Sequence, residues 1–492
     1  MSSSIQDSAP TIPAVQESAT FGRLPLFPSE REYDTKSAHS VSFAYAIATW
    51  CFLTGGYAAQ LVGAVQGLIC ITAGTLIGVF ITTMALGLGC QKYGLEQMDF
   101  CTPSFGTKGI KILLIFYLIN MLGWSGLILV MVGNSLQNIL GALGFHTGDW
   151  IVSVGVAVGL WLSYMLVTRG VHWLNIATSF ITPLLIIVIV FMFYLLFRDY
   201  GWAQIAAAPP LDPDPDPLKS YLLCVELGIA NGISWFGGVG FLARNTKKRR
   251  NAIYPELIQL GLIMGVVTAI GLFSALVIQS EDPTQWMIPL GGVYLGFIAL
   301  VFIALANITS TAVSLFASGL AIRHVHRFRN FAWWKLMAIL IIPCVPFVFW
   351  PHDLADMGDA FLAFNGTMYG PICGILSADY IFLRQQKYNL WAIFENHKSG
   401  SYYYTRGVNW IGIVSLVLGQ AVYIVLYNPG SGETHDLFYY LNPSIAATVI
   451  PAIVYTIGMK MLGSLEKSMP TAEQIRQREA RPQGQKILDP NI

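Results

Sequence analysis

Twelve stretches of eighteen or more residues run through this chain with almost no charge, at about 41–66, 68–91, 110–142, 150–167, 171–197, 219–243, 254–279, 289–322, 331–351, 357–385, 408–428 and 440–463. As helices rising 1.5 Å per residue, each spans about 30 Å of hydrocarbon, the longest by tilting. The chain is therefore predicted to be an all-α, polytopic membrane protein of twelve transmembrane helices. Composition agrees: 54% of its 492 residues are hydrophobic and 11% are charged, against about 25% charged in soluble domains. An ordinary soluble enzyme of about three domains is excluded.

The 28 Lys and Arg nearly balance 27 Asp and Glu, for a net charge of +1, so the sequence carries no electrostatic footprint for nucleic acid. The seven cysteines are an odd number, and six of them (Cys51, Cys70, Cys90, Cys224, Cys344 and Cys373) sit in apolar runs, which implies no disulfide framework. His324 and His326 lie in a basic loop without H-x-x-x-H or C-x-x-C spacing, so no zinc site is expected.

Charge placement sets the expected orientation. Lys92, Lys108 and Lys111, the run Arg244–Arg250, Arg323, Arg327 and Arg329, and Arg384, Lys387, Lys398 and Arg406 fall on one set of loops. The alternate loops are acidic: DPDPDP at 212–217, SEDP at 280–283, HDLADMGD at 352–359 and GETHD at 432–436. The positive-inside rule puts the basic loops and both termini in the cytoplasm, in a multi-pass cell-membrane protein. Residues 1–40 are polar, without a signal-peptide core, and are read as a cytoplasmic tail. The organisation expected beyond it is a first repeat over 41–200, a stiff outer Pro-Asp linker over 201–218, a second repeat over 219–385, a loop with two further helices over 386–463, and a cytoplasmic tail over 464–492.

Two segments carry glycines at comparable places. The first has Leu53-Thr54-Gly55-Gly56, and the sixth has Gly232, Gly237, Gly238 and Gly240 around Trp235. Paired interruptions in two halves of a chain point to a transporter's binding site, because unwound backbone at membrane depth must line a cavity or be buried. Close helix packing is the competing reading of the same glycines. Trp124, flanked by Gly123 and Gly126, and Trp235 lie mid-span rather than in the interfacial belt where tryptophan usually sits. Their indoles are candidates for stacking on a flat ligand, with core packing as the alternative. Asn231, four residues before Trp235, either holds a polar edge of that ligand or caps the break. Glu226 is a carboxylate inside an apolar run, and is either a proton carrier or a polar partner for another helix.

The stretches SADYIFLRQQKYNL at 377–390, YTRGVNW at 404–410, GPICGI at 370–375, PSFGTKG at 103–109 and GWSG at 123–126, with Gly170 and Pro183 in the fifth segment, resemble the nucleobase-cation symporter-1 family and, within it, the hydantoin permeases. The likeness covers about residues 40–460. It implies the leucine-transporter fold, with helices 1–5 and 6–10 as inverted repeats and two C-terminal helices added. FAYAIA at 43–48 resembles the family's first-helix cation segment, making the carbonyls of Ala44 and Ile47 sodium ligands. ANITST at 306–311 resembles its eighth-helix segment, adding the Ala306 carbonyl and the hydroxyls of Thr309 and Ser310, with Thr311 on the substrate side. From the residues alone, Thr309 and Ser310 are ordinary packing hydroxyls bonded to the preceding turn.

Trp124 and Trp235 fall on the family's two stacking tryptophans, beside Gly126, with Phe236 in the role of Trp235 should the sixth helix be offset by one. Where hydantoin permeases carry Gln, Gln and Asn, this chain has Ala48, Ile128 and Leu315. Three readers of an amide edge are missing, each able to change ligand ranking by about 1–3 kcal/mol. The expected function is sodium-coupled import of a small planar nitrogen heterocycle (a nucleobase, a hydantoin- or allantoin-like ring or a vitamin precursor), with hydantoin itself disfavoured. No cofactor beyond the sodium ion is implied, and the chain is read as a monomer. The alternatives are proton coupling through Glu226, or a membrane receptor or enzyme, for which no output domain or catalytic constellation is visible.

Overall fold

A computed structural model describes residues 25–323, 325–328, 331–394, 398 and 400–462. The tail ahead of residue 25, the tail expected from 464 and His324 lie outside the described residues. The described chain is helical, and its β-pairing is limited to isolated bridges such as Tyr33–Thr246. The principal helices are α1 (Thr35–Ala46), α2 (Trp50–Leu61), α3 (Ala64–Tyr93), α4 (Ile110–Ala142), α5 (Trp150–Thr168), α6 (Val171–Asp199), α7 (Pro217–Ile233), α8 (Phe236–Arg244), α9 (Arg249–Ile278), α10 (Pro283–Ile322), α11 (Trp333–Ile341), α12 (Gly358–Ser377), α13 (Trp410–Leu426) and α14 (Pro443–Met461). Among the described residues, eight helices are long and apolar enough to cross a membrane, and Trp333–Cys344 and Trp410–Leu426 are shorter apolar helices.

The Pro-Asp linker explains its own geometry. Asp216 accepts the Leu218 backbone N–H at 2.9 Å and Pro217 opens the first turn, so the last Asp-Pro pair caps α7. The residues before it run along the end of α2, where Leu211 and Asp212 donate backbone N–H groups to Ala59 and Gln60 at 2.9 and 3.0 Å.

Two glycine seams set how closely helices approach. A Cβ on Gly74 would stand 2.9 Å from the Gly228 backbone, and Gly78 meets Gly232 in the same way, so α3 and α7 pack backbone to backbone through small residues four apart. Gly55 and Gly56 do the same for α2. An added Cβ on Gly55 would run into the Thr268 carbonyl, and one on Gly56 into the Glu281 carbonyl. These two glycines are helical, which corrects the sequence reading that placed the first interruption at 53–56: here close approach, not backbone freedom, is their use. The interruption lies at Ile47–Thr49, between α1 and α2.

The family-like loop motifs converge on one buried knot. Arg384 Nε donates to both oxygens of Asp379 at 3.0 Å, and Tyr388 and Tyr455 donate their hydroxyls to the same carboxylate at 2.8 Å. Arg384 also donates to the Tyr404 hydroxyl, which itself donates to the Pro103 carbonyl at 2.6 Å. Asn409 donates to the Ser104 carbonyl, and Lys108 N–H to the Gly407 carbonyl. PSFGTKG, SADYIFLRQQKYNL and YTRGVNW are thus three sides of one scaffold, and their specificity as a signature reflects a fully satisfied buried ion pair.

Candidate functional site

The two helix discontinuities meet at one tryptophan. The break between α7 and α8 consists of Ser234 and Trp235, and the Ser234 hydroxyl donates to the Asn231 carbonyl at 2.6 Å, taking up a group the helix leaves free. The Trp235 ring lies edge-on to Tyr45 at the end of α1, centroids 5.9 Å apart, and to Trp50 at the start of α2, 6.0 Å apart. Those two residues flank the first break. Trp235 Nε1 donates to the Met264 sulfur at 3.2 Å, and the ring is half-buried.

The first break is closed by side chains rather than glycine. The Cys51 thiol donates to the Ala46 carbonyl at 3.2 Å, and the Thr49 hydroxyl donates to Asn307 Oδ1 on α10. That second bond sets Ile47 and Ala48 beside the α10 segment holding Ala306, Thr309, Ser310 and Thr311. Ala44 lies one turn back in α1 and is half-buried. The Thr309 hydroxyl donates to the Leu305 and Ala306 carbonyls at 3.1 and 2.8 Å, as sequence alone suggests for a mid-helix threonine. Two polar groups at this junction have no partner among the described residues: Asn307 Nδ2 and Thr311 Oγ1. Sequence reading passed over Thr49 and Asn307, because 258 positions separate them and neither belongs to a local motif.

The remaining candidates divide. Trp124 is half-buried and meets Phe361 edge-on at 5.6 Å. Its flanking glycines face aromatic rings: a Cβ on Gly123 would meet Phe361, and one on Gly126 would meet Phe347. Phe236 is fully buried and stacked on Tyr369, centroids 4.7 Å apart. Asn231 is turned toward α3, donating to Thr75 Oγ1 at 3.3 Å. Ala48 is buried at the break, Ile128 is buried in the main core, and Leu315 is buried in a separate cluster with Leu122 and Leu336. Glu226 is clasped by three donors, the Tyr423 hydroxyl at 2.8 Å and the hydroxyl and N–H of Ser444 at 2.5 and 3.2 Å, so it ties α7 to α13 and α14.

A cavity of about 220 Å³ opens between α2 and α4 and the loops before α10 and α12, lined by Leu53, Tyr57, Met131, Asn134, Asn138, Glu281, Asp282 and Asp356 among others. Gln60 donates to Glu281, and Asn134 to Asp282 at 2.8 Å. Burial, followed by the nearby charges of Asp356, Asp359 and Asp282, pushes the Glu281 carboxyl up to about 7. This mouth therefore gains negative charge as pH rises through neutrality. No group of three or more His, Cys, Asp or Glu suited to a metal occurs among the described residues.

The model of the family described as "Permease for cytosine/purines, uracil, thiamine, allantoin" matches residues 26–458. A hydantoin permease of Microbacterium maritypicum is 23% identical over 414 residues, covering 80% of this chain and 82% of that one. The purine-uracil permease NCS1 of Arabidopsis thaliana is 22% identical over 482 residues, covering 90% and 78%. The fold resembles that of Mhp1 in its inward-facing conformation, with a TM-score of 0.77 and 18% identity over 94% of this chain and 97% of that one. It also resembles Mhp1 closed with bromovinylhydantoin bound, with a TM-score of 0.70 and 19% identity over 92% and 98%. The chain therefore belongs to the cytosine/purine, uracil, thiamine and allantoin permease family, and is a multi-pass membrane transport protein rather than an enzyme.

Proposed function

We propose that this permease imports a small planar nitrogen heterocycle together with sodium, by alternating access. The observation that carries the reading is the junction at Trp235, where two helix breaks and the α10 polar segment come together. A ring stacked on Trp235 contacts both sides of the first break through Tyr45 and Trp50, so binding acts on the helix pair that holds the cation. The sodium ligands are the carbonyls of Ala44, Ile47 and Ala306 and the hydroxyls of Thr309 and Ser310. Neutral oxygens without a carboxylate suit a monovalent ion that must leave on each cycle. The carbonyls at the end of α1 fit this role because helix termination leaves them without intrahelical donors.

The relatives' names include hydantoin, purine and uracil permeases. At Ala48, Ile128 and Leu315 this chain carries no side-chain donor or acceptor, so ring stacking by Trp235 and Trp124 outweighs side-chain reading of an amide edge, and hydantoin ranks low. Uptake into proteoliposomes across purines, pyrimidines, hydantoins and B-vitamin rings is expected to show one class concentrated by an inward sodium gradient. Concentration that ignores sodium while following an imposed proton gradient would refute the sodium assignment.

Counting α1 with α2 as one broken crossing, and α12 as another, brings the long and shorter apolar helices to twelve crossings in a five-plus-five arrangement with two added helices. Both termini are then cytoplasmic. A cysteine at Arg249 is expected to react with impermeant reagent only from the cytoplasm, and one at Asp214 only from outside; the reverse pattern overturns this map.

A further inference from the structure

The face between α1 and the start of α9 holds a buried carboxyl that the substrate junction does not use. Three polar side chains of α1, spaced four and three residues apart, meet α9 there. Thr35 donates to Asn251 at 3.1 Å, His39 Nδ1 lies 3.1 Å from Gln259 Nε2, and Ser42 Oγ reaches Glu256 Oε1 at 3.5 Å. Glu256 is 1% exposed, and its other oxygen has no hydrogen-bond partner among the described residues. It opens an eight-residue π-helical stretch, Glu256–Ile263, inside a membrane-crossing helix; π-helical geometry within α-helices is frequent at functional sites. Glu226 makes a useful contrast, with three donors to one carboxylate.

Among the described residues no cation faces Glu256. The ionisable groups that α1 brings are Tyr45 and His39, the latter engaged with Gln259, while Lys36 is exposed. On the approach to α9, Arg249, Arg250 and Tyr254 are exposed. The α3 stretch from 64 to 82 carries Cys70 as its one ionisable side chain, and the helix Met264–Ile278 carries none. An isolated carboxylate at this depth is costly. A metal cation would need a shell of several oxygens, and among the described residues the Ser42 hydroxyl is the one side-chain hydrogen-bond contact of the carboxyl. A single proton on the free oxygen meets both conditions.

We propose that Glu256 is a proton-binding site, loaded while α1 lies on the π-helical turn and emptied when α1 parts from it. On parting, water reaches the carboxyl, the O–H bond breaks, the proton passes to water and the carboxylate stays hydrated. The link to the substrate is α1 itself: Ser42 and Tyr45 are three residues apart on it, and Tyr45 touches Trp235. That link rests on the transport reading above, whereas the proton site does not.

Infrared difference spectra of purified protein, taken between neutral and alkaline pH, test the site directly. Wild type is expected to show the carbonyl bands of protonated carboxylic acids, Glu281 at the mouth among them, and Glu256→Gln to lose one component that a Glu226→Gln control keeps. A folded Glu256→Gln protein with every wild-type component overturns the proposal. Should Glu256→Gln fail to fold, Ser42→Ala removes the hydroxyl at the carboxyl and is expected to shift the pH at which that component titrates; no shift overturns the proposal. In proteoliposomes, uptake by Glu256→Gln is expected to depend less on pH than that of wild type. Absence of uptake for every ring in the panel would defeat the transport reading, and the infrared result would still decide the proton site.

Discussion

Replacing Thr309 and Ser310 together by Ala is expected to abolish sodium-stimulated binding of the heterocycle. Each hydroxyl lost from a cation's shell is comparable to a hydrogen bond to a charged group, about 1.5–3 kcal/mol. Losing both therefore weakens sodium binding roughly a hundredfold or more. Linkage carries the loss to the substrate, because the factor by which sodium raises ring affinity is the factor by which the ring raises sodium affinity. The measurement is ring binding with and without sodium, read by tryptophan fluorescence. Thr309 also donates to the Leu305 and Ala306 carbonyls, so a purely local role predicts a small drop in melting temperature with sodium stimulation intact. That outcome would remove both hydroxyls from the cation site.

Trp235→Ala is expected to weaken ring binding by about tenfold or more, since stacking on an aromatic side chain contributes roughly 1–3 kcal/mol per ring in nucleic-acid binding, the best-measured analogue. Trp124→Ala is expected to behave alike, and Trp→Phe at either position to cost less. The Trp235 ring also packs edge-on against both Tyr45 and Trp50, so its removal loosens both sides of the first break. Sodium affinity should then fall with ring affinity in Trp235→Ala. In Trp124→Ala it should hold, because the ring contact of Trp124 is with Phe361 on α12. Isothermal titration of each ligand into each variant checks this, and wild-type ring affinity in either alanine variant would make that indole a packing residue.

Glycine shows how far local chemistry can be read. The four residues Leu53–Gly56 look like a helix break in sequence, yet Gly55 and Gly56 are helical and serve the approach of α2 to α9 and to the Glu281 loop. The actual break, Ile47–Thr49, holds no glycine or proline. The Cys51 thiol takes up the Ala46 carbonyl that the helix gives up, and the Thr49 hydroxyl ties the break to Asn307 on α10. Trp235, by contrast, was legible: a mid-span tryptophan among glycines is an anomaly against the interfacial preference of the residue, and it does stand at the sixth-segment break.

Apolar length and charge placement are local properties of the chain, and from them the sequence by itself determined a helical, multi-pass membrane protein. The loop motifs likewise identified the family, because the buried Asp379–Arg384 knot needs particular residues at close spacing. Tertiary structure alone decided which polar groups meet. Thr49 reaches Asn307 across 258 positions, Glu226 reaches Tyr423 across 197 and Ser42 reaches Glu256 across 214. A hydrogen bond between distant segments leaves no periodicity or spacing in the sequence. Its energy depends on a geometry that exists only once the helices have packed.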